Sequence, residues 1–160
     1  MNSFDQVSQQ CHHLKLASLV QDLPELLQQA EANEISYLQY TEVLLGHEVK
    51  QRNSKRIAMN RRKAGFPMEK HLEAFDYCHQ TTINKRQVNQ LLDFDFIDNR
   101  NNLIFIGPPG VGKTHLSIGI GSKAIDAGYK VLFTTALSLT ESLEIAELKG
   151  ELKKKINTLC

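Results

Sequence analysis

The stretch that most restricts how this chain of 160 residues can fold runs from Leu103 to Ala124, LIFIGPPGVGKTHLSIGIGSKA. Within it Gly107, Pro108, Pro109, Gly110, Val111, Gly112, Lys113 and Thr114 fit G-x-x-x-x-G-K-[ST], the phosphate-binding loop. The apolar run Leu103–Ile106 reads as a buried parallel strand delivering the chain to that loop. Glycines at 107, 110 and 112 permit backbone angles and close approaches that a Cβ would obstruct. Successive N–H groups then turn inward as a concave anion site. Lys113 adds a point charge in reach of β- and γ-phosphates, and the Thr114 hydroxyl is a ligand for Mg²⁺. A helix opening at Lys113 aims its positive dipole end at the same phosphates. The alternative, a glycine-rich turn that fits by chance, is weakened by the strand pattern before the octet and the amphipathic helix pattern after it.

Charge sharpens the picture only when it is mapped. The formal net charge is +1, yet Lys50 to Lys63 holds seven basic residues and no acidic one. Cys11, Cys78 and Cys160 are odd in number, far apart and without a C-x-x-C pair. They read as reduced thiols of a cytosolic protein, neither a disulfide framework nor a zinc site. The start, MNSFDQVSQQCHHLKL, lacks a basic region followed by an apolar core, so no signal peptide is visible. No apolar run has the length of a bilayer span. The expectation is a soluble, cytoplasmic protein without a membrane partner.

Upstream of the loop the pattern is helical. Leu14, Leu16, Leu19, Val20, Leu23, Leu26 and Leu27 recur at helical spacing, and Asp22-Leu23-Pro24 marks a new helix start, since proline suits a first turn. Cys11, His12 and His13 invite a metal reading, but adjacent residues do not share a helical face and no second cluster has ligand spacing. Ser36-x-x-Gln39 is a capping box for a long helix over 37–64, closed by Gly65 and Pro67. Leu38, Val43, Leu44 and Leu45 suit packing in its first half. Its second half carries Lys50, Arg52, Lys55, Arg56, Arg61, Arg62 and Lys63, of which Arg52, Lys55, Arg56 and Lys63 form a stripe at i, i+3, i+4 and i+11. Such a stripe suits a phosphate backbone and salt-dependent binding. Its plainer reading is a solvated face with cations favoured near a helix C-terminus. No aromatic residue interrupts the run, so base stacking is not indicated.

Between these parts, Phe66, Phe75, Tyr77, Phe94, Phe96 and Ile97 read as packing anchors between helical and nucleotide parts. Asn84-x-x-Gln87 caps a short helix through Leu92. Asp93, Asp95 and Asp98 resemble a metal cluster, but the glycine of a calcium loop is missing and the intervening aromatics have a packing use. Lys85 and Arg86 read as further exposed charge. After the loop, Leu116, Ile118, Ile120, Ala124 and Ile125 give the helix an apolar face and Gly128 stops it. Lys130–Thr134 reads as a second strand. Ser138-x-x-Glu141 caps a helix to about Leu148, and Gly150 precedes a lysine-rich last helix whose Lys153–Lys155 run reads as a solvated patch. The order is that of a P-loop α/β domain. The expected architecture is an all-α region over 1–92 and an incomplete P-loop α/β domain over 93–160.

Hydrolysis of ATP asks for more than a cradle. A second apolar strand normally ends in an acid that holds Mg²⁺, with a group to activate water and a positive group for the transition state. Downstream acids here are Asp126, Glu141, Glu144, Glu147 and Glu151, all on expected helices, and the last arginine is Arg100. The reading is a nucleotide site without its hydrolytic half, with no catalytic residue named.

These residues carry a family resemblance. GPPGVGKTHL with His115 directly after the loop threonine, SIGIGSKAIDAGYKVLF after it, YTEVLLGHEVKQRNSKRIAMNRRKAGFP upstream and Phe96-Ile97 before the first strand resemble the IstB-like ATP-binding helper proteins of bacterial insertion sequences. These are AAA+ relatives of the DnaC-type helicase loaders. The resemblance implies ATP and Mg²⁺ as cofactors, with Gly107 to Thr114 as the ATP site. It also implies a basic helix on DNA, a homo-oligomer, and an element-encoded transposase as partner in transposition. A helicase-loading adaptor in replication is the alternative. Family members continue past the equivalent of Leu159 into the Walker B strand, sensors and arginine finger, so the chain looks like the N-terminal portion of such a protein. In this fold class the strands between the first two come from later sequence. Leu103–Ile106 and Val131–Phe133 are therefore expected to keep unpaired buried edges and to leave the C-terminal half marginal.

Overall fold

The computed structural model describes residues 2–77 and 83–159. By packing, the chain falls into two compact units, Met1–Met59 and Asn60–Cys160. That line runs through one continuous helix, whereas composition drew its boundary at 92/93.

In the first unit α1 (Ser3–His13) and α2 (Ala17–Ala32) pack together, followed by α3 (Tyr37–Lys63). Cys11, Leu19 and Leu26 form its apolar cluster, with Leu16, Val20 and Leu44 against it. α1 closes when Leu16 N–H reaches Cys11 O and Lys15 N–H reaches His12 O, with Lys15 in the left-handed region at φ 59°. This is the Schellman arrangement, usually given to glycine. α2 then begins at Ala17, not beside Pro24 as the Asp-Leu-Pro signal suggested, and Pro24 lies inside the helix. The break that matters is the left-handed turn at Lys15. Leu23 and Leu26, buried on either side of Pro24, hold the helix through the missing N–H.

The Ser36–Gln39 capping box opens α3 as expected: Gln39 N–H donates to Ser36 Oγ at 3.3 Å, and Ser36 N–H donates to Gln39 Oε1 at 2.9 Å. The packing expected of its first half does not follow. Leu44 packs, but Leu38, Val43 and Leu45 are exposed. Polar groups make the seam to α2 instead. Glu48, 5% exposed, accepts from Leu19 N–H at 3.1 Å. A carboxylate there caps the otherwise uncapped first turn of α2, where the dipole favours it. Asp22 Oδ2 and His47 Nε2 lie 2.8 Å apart on the same seam.

The second unit contains the end of α3, a 3₁₀ turn Leu72–Ala74, then α4 (Lys85–Leu91), α5 (Asp95–Asp98), α6 (Lys113–Asp126), α7 (Ala136–Leu148) and α8 (Leu152–Leu159). Its core joins Leu72, Phe75, Val88, Phe94, Leu116, Ile120 and Ala124. Asn84 and Gln87 cap α4 reciprocally, each bond 2.9 Å. For α7 the cap is Thr135, whose Oγ1 accepts from Ser138 N–H at 3.1 Å. The helix therefore starts a turn before the Ser138-x-x-Glu141 signal. Gly128 and Gly150 end α6 and α7 in the left-handed region, as expected.

The expected α/β sheet is not found: no residue among those described belongs to a paired strand. Leu103 and Phe105 are half-buried while Ile104 and Ile106 are 75% and 92% exposed. Val131, Leu132 and Phe133 alternate in the same way. The period-two pattern is that of extended chain with one face packed. A strand exists only as half of a ladder, and neither segment meets a partner strand among the described residues. Phe133 N–H donates instead to Ala64 O at 2.7 Å, beyond the end of α3. These segments were expected to be buried, whereas Ile104, Ile106 and Leu132 are exposed and only Leu103, Phe105, Val131 and Phe133 are half-buried.

Candidate nucleotide loop and basic helix

The loop between Ile106 and α6 has the backbone its glycines permit. Gly110 (φ 82°) and Gly112 (φ 87°) both lie in the left-handed region. Gly112 is the N-cap of α6, so Lys113 and Thr114 open the helix and its free N–H groups face the loop. Lys113 Nζ donates to Gly107 O at 2.8 Å and Pro108 O at 2.7 Å, which holds the ammonium over the loop's concavity. Gly107, Pro108, Pro109, Gly110 and Thr114 are exposed; Val111 is half-buried. A concave run of backbone N–H groups, a lysine and a helix N-terminus is a set of donors matched to a triphosphate. Thr114 offers a hydroxyl, the donor class that suits Mg²⁺ alongside phosphate oxygens.

Beneath the loop lies a segment the motif gives no hint of. His71 O is 2.8 Å from the His115 ring Nε2, which donates to it. Phe75, 7% exposed, packs edge-on to His115 with centroids 5.3 Å apart and to Tyr77 at 4.8 Å. A Cβ on Gly112 would stand 2.5 Å from Phe75 Cε2, so glycine there serves close approach as well as φ. Further along α6, a Cβ on Gly119 would meet Leu72 Cδ2 at 2.5 Å. Lys123 Nζ bonds Glu73 Oε1 at 2.7 Å. That hydrogen bond holds the Glu73 carboxyl below the usual range and the Lys123 ammonium above it. Residues 71–77 thus form a bracket along one side of α6. Its bonds span long stretches of sequence, as with His71 and His115 at a separation of 44, and leave no periodic signal.

Beside the loop a cleft of about 580 Å³ is lined by Ile83, Gln87, Leu91, Ile104, Ile106 and Lys113, among others. The bare face of the extended segment therefore forms one of its walls.

The six basic candidates divide. Arg61 is half-buried, donating to Ser122 Oγ and Asp126 Oδ1 at 2.6 Å each, and so ties the end of α3 to the end of α6. Arg52 donates to Glu48 Oε1 at 2.8 Å and Lys15 O at 2.7 Å, and Lys55 donates to Ser18 Oγ at 2.6 Å. Both remain exposed beyond those bonds. Arg56, Arg62 and Lys63 are exposed, and Arg56 and Lys63, seven residues apart, share a face. Of the other clusters, Asp98 accepts from the Tyr129 hydroxyl at 2.8 Å, which pushes that phenol's pKa up. Cys11 is a buried free thiol, while Cys78 and Cys160 lie outside the described residues. No helix among the described residues is long and apolar enough to cross a membrane.

Known proteins with this pattern are found among mobile elements. A protein of insertion sequence IS5376 from Geobacillus stearothermophilus, named for ATP binding, is 34% identical over 152 residues, 95% of this chain and 61% of its own length. Its counterpart from insertion sequence IS21 of Pseudomonas aeruginosa is 35% identical over 91% of this chain and 55% of its own. Another, from insertion sequence IS232 of Bacillus thuringiensis subsp. berliner, is 29% identical over 97% and 62%. The chain spans 55–62% of the length of these relatives. The family described as IstB-like ATP binding protein matches residues 9–160, and the chain belongs to that family.

Proposed function

We propose that this chain binds Mg-ATP on Gly107–Thr114 and lays the exposed basic face of α3 on DNA, as the ATP-dependent helper of an insertion-sequence transposase. The observation that carries the reading is the loop itself: two left-handed glycines, a helix N-terminus and a lysine ammonium above them. Backbone N–H groups would hold the phosphate oxygens, Lys113 would exchange its loop carbonyls for phosphate, and the Thr114 hydroxyl would serve as a ligand for Mg²⁺. The metal neutralises triphosphate charge, so the loop need not supply all of the compensation. The names of the relatives favour transposition over helicase loading. A cytoplasmic location and a homo-oligomer on DNA belong to the same proposal.

Two measurements test it. Lys113→Ala should weaken Mg-ATP binding by at least about tenfold, since it removes the charge facing the phosphates. Equal affinity in parent and variant would remove the loop from consideration. For α3, reversing Arg56, Arg62 and Lys63 to Glu should weaken duplex binding. Its log–log salt slope should flatten by about 0.9 for each phosphate that is no longer neutralised. An unchanged affinity and slope would make the stripe a solvated face. Arg61 is left out of that variant because its charge is used within the molecule.

A further inference from the structure

We propose that His115 is a positioning residue for the phosphate loop. It locks the first turn of α6 to the bracket at His71 and Phe75, and so sets the backbone at Gly112 from which the loop's N–H groups diverge. The inference deepens the reading of Gly107–Thr114 as an ATP loop and, for its effect on affinity, rests on it.

Three interactions converge on the point where loop becomes helix. His115 follows the two residues that face the phosphates, and its ring turns to the other side of the helix, donating from Nε2 to the backbone carbonyl of His71 at 2.8 Å. That bond fixes the ring plane. The ring stands nearly perpendicular to Phe75, at 88°. Phe75 in turn lies so close to Gly112 that no Cβ fits between them. Gly112 is the cap residue, at φ 87°, and nothing of its own holds it there, because it has no side chain to bond the first turn. Its conformation is set from outside, by the aromatic ring that His115 holds in place.

The arrangement uses no group that would face a phosphate. A residue of this kind affects binding by narrowing the loop's conformations before the ligand arrives. Alanine at 115 should leave the fold intact and loosen the loop. Glutamine should restore part of the effect, because its amide N–H₂ can donate to the same His71 carbonyl and keep α6 tied to the bracket, although the ring contact to Phe75 is lost.

The experiment compares parent, His115→Ala and His115→Gln by amide hydrogen exchange without nucleotide, then by Mg-ATP titration, with Lys113→Ala as reference. Loop exchange is read where the loop enters the helix, at Leu116–Ile118, whose first bond runs from Leu116 N–H to Gly112 O at 2.9 Å. It should quicken about tenfold in His115→Ala, return to within about threefold of parent in His115→Gln, and stay unchanged in α7. Mg-ATP affinity should follow the same order, about tenfold weaker for Ala and within about threefold for Gln. Loop exchange equal in all forms overturns the proposal. So does exchange that quickens evenly through the second unit, which would make His115 a general packing residue, or loop exchange that changes while affinity does not. If no form binds Mg-ATP, the ATP reading falls while the exchange result still decides whether His115 positions the loop.

Discussion

Glu48 shows what a single side chain does here that no motif announces. It is buried, it caps α2 across a sequence separation of 29, and it holds Arg52 on the same helix. Glu48→Ala leaves the Leu19 N–H unsatisfied in a covered position, and should cost about 1–3 kcal/mol, read as a lower denaturant midpoint. Glu48→Gln keeps an oxygen for Leu19 and should cost distinctly less. Equal losses for the two would mean that charge, not the cap, is what matters. The loop residues were legible because spacing alone defines them. Glu48, His71 and Phe75 were not, since each acts on a partner that only the folded chain brings near. Arg61 was legible as a cation but not as a tie to Asp126, for the same reason.

At the scale of elements, local chemistry was a good guide where it closes within four residues. The caps at Ser36 and Asn84 and the stops at Gly128 and Gly150 are local, and each is found. Lys15, Glu34 and Arg100 end helices in the left-handed region without glycine, so no residue type marked those ends in advance. The bracket's hold on α6 is likewise invisible in sequence and has a pH signature. Glu73 is held below its ordinary 4.5, so its contribution is present above that value and lost as pH falls through the lowered one. Lys123 is held above its ordinary 10.5, so its contribution is present below that value and lost as pH rises through the raised one. The stability gap between parent and Glu73→Gln should be widest between those limits and close towards acid. A gap that persists undiminished far into acid would show that the pair is not its source. The pair is exposed, and screening keeps the gap small and salt-sensitive.

For the whole molecule, helices were readable from 3.6-residue spacing, but the sheet was not, because a strand is a property of two segments. Leu103–Ile106 has a strand's composition and alternation with no neighbour to pair with among the described residues. Its exposed isoleucines lie along an edge of the kind that invites association. Ile104→Lys with Ile106→Lys should reduce concentration-dependent association in sedimentation velocity while leaving the far-UV signal unchanged. A parent that remains monomeric across the accessible range would make that edge harmless. Binding a strand from elsewhere in a longer relative would quench it equally well.

Gly119 and Gly121 sit in the interior of α6, where an engineer seeking a sturdier protein would replace both with alanine, worth about 1 kcal/mol each in an ordinary helix. Here that recipe should backfire at 119. At 119 the added carbon collides with Leu72 Cδ2 and Cγ at 2.5 and 2.9 Å, whereas at 121 it meets Phe66 Cζ at 3.1 Å and asks the ring to give by a few tenths of an ångström. The helix behind the loop is therefore a poor helix by itself and a good one only in company. Any event that lifts residues 66–77 away would also let α6 fray, so the loop has no order independent of its neighbours.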